Sequence, residues 1–107
     1  MSLNEFKILL NTTGLPVAYY SFPENKAPQL PFICYFVSHT NNFYADNKVY
    51  KVINHVQVEL YTKLKSIEFE EKVERAISSF HWEKTETYLE DEKCFKITYD
   101  LEVENEQ

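Results

Sequence analysis

Three histidines, two cysteines and a run of acids are the residues in this chain that could do chemistry. His39, His55 and His81 lie far apart, and none has a Cys, His or acidic neighbour at the spacing of a local metal motif. They read as surface or interface histidines, and no metal site is expected. A thiol nucleophile at Cys34 or Cys94 would need a nearby base and a positive surround. Cys34 sits mid-strand among aromatics, where burial keeps a thiol neutral. Cys94 opens a strand beside Lys93. Both read as buried free thiols. Glu90-Asp91-Glu92 lacks the ligand spacing of a calcium loop and reads as a charged hairpin tip. No serine is flanked by glycines in a nucleophile elbow. The single glycine, Gly14, excludes phosphate-cradling loops and dinucleotide fingerprints, which need several glycines so that backbone can approach phosphate. The reading is of a non-enzymatic protein with no catalytic residues and no cofactor.

Composition narrows the class further. A length of 107 residues fits one domain, 1–107, with a polar tail at 104–107. The apolar fraction of 44% is that of a globular chain. The net charge of −6 leaves no basic patch for phosphate, so a nucleic-acid binder is not expected. No apolar run approaches the roughly 20 residues of a membrane span, and Met1 to Glu5 lacks the pattern of a signal peptide. A protein of the cell interior is expected.

The elements that position these residues follow from periodicity. Residues 2–13 predict a helix: Ser2 and Glu5 make a capping box, and Leu3, Phe6, Leu9 and Leu10 share one side. Gly14 suits the left-handed residue that ends it, and Pro16 prevents its resumption. Val17 to Phe22 reads as a short strand. Pro23, Pro28 and Pro31 make residues 23–31 an irregular loop. Phe32 to Ser38 is nearly all apolar and suits a central strand covered on both faces. Residues 39–47 read as a loop or hairpin. Val49 to Lys63 alternates like a half-buried strand, long enough to call for a bend or bulge near Ile53-Asn54. Ser66 caps a second helix over 66–80, with Phe69, Val73, Ala76, Ile77 and Phe80 inward. His81 to Leu89 and Cys94 to Val103 make a closing hairpin. The expected fold class is α+β: a mostly antiparallel sheet with two helices on one face, in the order α-β-β-β-α-β-β.

Aromatics make up 16% of the chain. Tyr19, Tyr20, Phe22, Phe43, Tyr44, Tyr50, Tyr61 and Tyr88 exceed what one side of a small sheet requires. Some must face outward, and exposed apolar groups mark contact surfaces. Phe43, Tyr44, Asp46 and Tyr61 are the expected interface residues, and 23–31 and 40–48 the expected interface loops.

Leu15 to Tyr19, the prolines of 28–31, Asn41-Asn42-Phe43-Tyr44-Ala45-Asp46-Asn47, Glu59-Leu60-Tyr61-Thr62 and Trp82 to Tyr88 together form a pattern. Over residues 14–103 it resembles the tail terminator, or tail-completion, subunits of long-tailed phages and prophages of Gram-positive bacteria. The resemblance implies a virion structural protein of the head–tail joint. Such a subunit forms an oligomeric ring, for instance a hexamer, caps the tail tube and docks the head connector. It implies α+β fold, assembly in the bacterial cytoplasm, residence in the virion, no membrane and no sequence-specific nucleic acid. It carries no active-site residues over. An acidic lumen is expected around Glu90, Asp91, Glu92 and Asp46, because a DNA passage should repel phosphate. The alternative is a small non-enzymatic protein- or ligand-binding regulator of α+β type.

Overall fold

The computed structural model describes residues 1–106. Its elements are α1 (Leu3–Asn11), β1 (Val17–Tyr19), β2 (Phe32–Thr40), β3 (Phe43–Ala45), β4 (Lys48–Thr62), α2 (Ile67–Ala76), β5 (Glu83–Leu89) and β6 (Cys94–Glu106). The class is α+β, with two helices on a six-stranded mixed sheet. Strands run in the order β1-β2-β4-β6-β5, and β3 pairs with β4 beyond the end of β2.

Four expectations change. An additional strand, β3, lies within the stretch expected to be a loop or hairpin. The sheet is mixed, because β1 pairs with β2 in parallel while the remaining pairings are antiparallel. The proline-bearing loop returns the chain to the start of β2, which forces that direction. The helices are shorter than predicted, at Leu3–Asn11 and Ile67–Ala76. Residues 77–80 leave α2 through a turn and a bend, although Phe80 still packs edge-on against Phe6 at 5.6 Å. The polar tail is also corrected: residues 104–106 continue β6 alongside β4, and Gln107 lies outside the described residues.

Local chemistry accounts for the boundaries. At the start of α1 the Ser2 N–H donates to Glu5 Oε1 (3.0 Å) and the Glu5 N–H donates to Ser2 Oγ (3.1 Å). This reciprocal pair satisfies donors that the helix leaves open. Gly14 follows with φ +79°, where a side chain would be strained. Ser66 accepts from the Phe69 N–H at 3.2 Å and starts α2. Asp46 (φ 52°) and Asn47 (φ 61°) form a two-residue turn between β3 and β4. Both tolerate the left-handed region because short polar side chains bond locally. Such a turn matches the strand twist of a tight hairpin.

The core lies between the helices and one sheet face. Phe6 and Leu10 of α1 and Val73 and Ile77 of α2 meet Ile33, Tyr35, Val56, Val58, Leu60, Ile97, Tyr99, Leu101 and Val103. β4 and β6 pair without interruption from Lys51↔Glu106 to Thr62↔Phe95. The irregularity expected near Ile53-Asn54 lies elsewhere. Ser38 is an extra residue in β2 between the pairs Val37↔Val56 and His39↔His55, and Tyr50 is extra in β4 opposite β3. β4 therefore pairs unbroken along β6, while β2 carries one irregularity and the start of β4 the other. β2 is covered on both faces only over Ile33 to Tyr35; Ser38 to Thr40 are exposed.

Candidate assembly surface

The molecule is elongated, 50 × 28 × 24 Å, because β4 runs most of its length. Its two ends differ in chemistry. At one end, β3 and the first residues of β4 form a ribbon with no helix over it. Phe43, Tyr44 and Tyr50 are 55%, 60% and 58% exposed, and Val49 is also open. Phe43 and Tyr50 rest against each other with ring centroids 6.0 Å apart, and Tyr44 is registered opposite Val49. A two-stranded ribbon has no interior of its own, so its aromatic rings stay in water unless something else covers them.

Of the four expected interface residues, the fold brings three together: Phe43, Tyr44 and Asp46 share this ribbon. Tyr61 does not join them. It lies thirteen positions along β4 from Lys48, about 40 Å at strand rise. There it is half-buried, its ring 5.1 Å from Phe32 and its hydroxyl donating to Glu59 Oε1 at 3.0 Å. Burial, then the Glu59 carboxylate, pushes its phenol well above the ordinary range. Tyr61 belongs to an aromatic cover over one end of the face away from the helices, with Phe22 packed on Phe32 at 5.1 Å. Of the other aromatics, Tyr19, Tyr20 and Tyr88 are exposed, and Phe22 is half-buried.

Both cysteines are free and buried. Burial, helped by Glu59, pushes the Cys34 thiol up to about 11, and burial with Glu92 raises Cys94. Neither is poised as a thiolate. His39 and His55 come together as directly opposed residues, ring centroids 4.5 Å apart, beside the Ser38 bulge. Ser38 Oγ donates to the His55 carbonyl at 3.2 Å and lies 3.0 Å from His39 Nδ1. His81 lies next to the start of β5.

The acids also separate. Glu90, Asp91 and Glu92 occupy the β5–β6 turn, at the opposite end of the long axis from Asp46, so these residues do not line one surface together. A different acidic row exists. Asp100, Glu102 and Glu104 alternate along β6 on the face away from the helices. With Glu83, His55, His81, Met1 and Phe80 they border an open concavity of about 790 Å³ where β5 has ended. The signal was in the sequence as the polar positions of the last strand, but the tail boundary cut it short.

Under α2 lies a buried charge network. Glu70 is 2% exposed and holds Lys65 (2.6 Å) and Lys84 (3.1 Å). Lys84 also reaches Glu74 at 2.9 Å, and Tyr99 donates to Glu74 at 2.7 Å. Burial works to raise the Glu70 carboxyl, but the two lysines overcome it and hold it below its ordinary value. This network ties α2 to β5 and β6. It was not legible as a site, because Glu70 reads from the sequence as one more acid in a first turn.

The chain matches no protein-family model, and no curated protein matches it.

Proposed function

We propose that this chain is a structural subunit of a phage head–tail joint: a tail terminator that assembles into a ring, caps the tail tube and docks the head connector. It performs no catalysis in this role, assembles in the bacterial cytoplasm and ends in the virion. The reading rests on the resemblance of residues 14–103. It is supported by one structural observation, the uncovered aromatic ribbon of β3 and β4, which favours a subunit completed by its neighbours.

The test is mass in solution across protein concentration, with negative-stain images, alone and with polymerising tail-tube subunits. Rings of about six copies that halt tube growth are the expected result. Tubes that grow to the same length with and without the protein overturn it. The concavity beside β6 is the observation that favours a ligand-binding regulator instead. Tight, saturable binding of a defined small molecule by a monomer that leaves tube growth unchanged would establish that reading.

A further inference from the structure

We propose that copies of this chain join by continuing one another's sheets: the β3 edge of one copy pairs with the outer edge of β6, residues 101–106, in the next. This rests on the ring reading above and names the surfaces that would close it.

The β6 edge is open because β5 is too short to cover it. Their last pair is Glu83↔Asp100, whereas β6 continues along β4 to Glu106. Beyond Asp100, among the described residues, no strand pairs with the outer side of β6. Its backbone is directed there: the Glu104 carbonyl accepts a hydrogen bond from the Met1 amine at 2.8 Å. Backbone groups alternate sides along an antiparallel strand, so Glu102 also presents its N–H and C=O outward. The Met1 contact is one exposed bond that an incoming strand can replace.

The donor strand is β3. It pairs with β4 on the opposite side from β6, and among the described residues no strand lies beyond it. The two open edges thus flank the same end of the sheet, left and right. Joining left to right is a head-to-tail contact, which closes into a ring when the rotation per copy divides a full turn. Both β3 and β6 run antiparallel to β4. A rotation about an axis near the strand direction preserves direction, so the new pairing is parallel. Because β3 is level with Lys48 to Lys51 of β4 and residues 101–106 with Lys51 to Val56, the strands must tilt across that axis for the two edges to meet.

Charge disfavours an acidic strand at this edge, and position selects among the uncharged ones. Glu83, Asp100, Glu102 and Glu104 surround the acceptor position. β5, the outer strand on the other side of β6, brings Glu83 and Glu86, while its Lys84 is already held by Glu70 and Glu74. β3, Phe43-Tyr44-Ala45, brings no charge, and its turn carries Asp46 as well as Lys48; the other uncharged edge strand, β1, lies level with Val58 to Leu60 of β4, away from the open part of β6. Shape agrees. The concavity next to the acceptor edge is bordered by Phe80, Leu101 and Met1 and has room for bulky rings, which the ribbon supplies.

The test uses two full-length variants. Phe43→Ser with Tyr44→Ser disables the donor. Ser79→Trp with Glu102→Pro disables the acceptor: the indole fills the concavity, and proline removes an outward N–H while sparing the β4 ladder. Unchanged melting temperatures confirm that both fold. Wild type is expected to form rings, each variant alone to associate at least about 30-fold more weakly, and a mixture of the two to stop at a 1:1 pair. That pair forms because one partner still has a donor and the other an acceptor. Rings from either folded variant overturn the edge pairing and leave the ring reading standing. A wild-type chain that stays monomeric to about 1 mM and on tube ends overturns both.

Discussion

The two ends of β4 are made from the same kind of strand sequence and have opposite fates. Val56, Val58, Leu60 and Thr62 alternate with polar residues, are flanked by β2 and β6, and lie under the helices with almost no exposure. Lys48 to Tyr50 continue the same strand, but there the sheet narrows to a ribbon and the side chains meet water. The difference is what lies above them. Apolar side chains are stabilising only where another element removes them from water, and both helices are spent on one end. The covered end supplies stability, and the rings of the uncovered end stay in water.

Substitutions can break this contrast, beginning with the largest effect. Phe6→Ala removes a fully buried ring that contacts Tyr35 and Phe80. It should cost about 4 kcal/mol in denaturant unfolding. A loss under about 1 kcal/mol would mean that α1 contributes little to the covered end.

Glu70→Gln should cost about 2 kcal/mol, since it leaves two lysines without their buried partner. The figure is modest because those lysines are 39% and 40% exposed and can turn to water. The pH dependence has a definite sign. The folded carboxyl sits below its ordinary value of 4.5, so its stabilisation is complete above that pH and drains away as pH falls through the lower folded value. The gap between wild type and Glu70→Gln should therefore narrow in acid. A gap that is constant from pH 7 to pH 3 would remove the ionic explanation.

Ser66→Ala deletes the acceptor for the Phe69 N–H and should cost about 1 kcal/mol, seen as a lower melting temperature. An unchanged melt would show that α2 is held by Glu70 and its packing alone. The smallest stability effect belongs to the other end. Phe43→Ser with Tyr44→Ser should shift unfolding by no more than about 0.5 kcal/mol while abolishing assembly. A larger loss would make these rings part of the folded core. Amide exchange sharpens the same contrast: Val56 to Leu60 should be the slowest group, and Phe43 to Ala45 should exchange far faster. Equal protection would show that the ribbon is already covered.

Much of this arrangement was legible residue by residue. The Ser2–Glu5 box, the Gly14 stop, the alternation of β4 and β6 and the helical stripes are local, so the sequence alone determined two helices and a sheet with one covered face. It also determined that Phe43 and Tyr44 would sit near a turn, since Asp46 and Asn47 accept left-handed backbone. Only the tertiary structure decided the rest. Parallel pairing of β1 with β2 depends on how a proline-bearing loop returns. The register of β6 along β4 turned an expected tail into an open edge, because unbroken pairing outweighs the polar character of Glu104 and Asn105. The separation of Tyr61 from the ribbon follows from β4 being one continuous strand of 15 residues. The pairing of His39 with His55, and of Glu70 with two lysines, arises because strands and helices distant in sequence are packed side by side, which no spacing along the chain encodes.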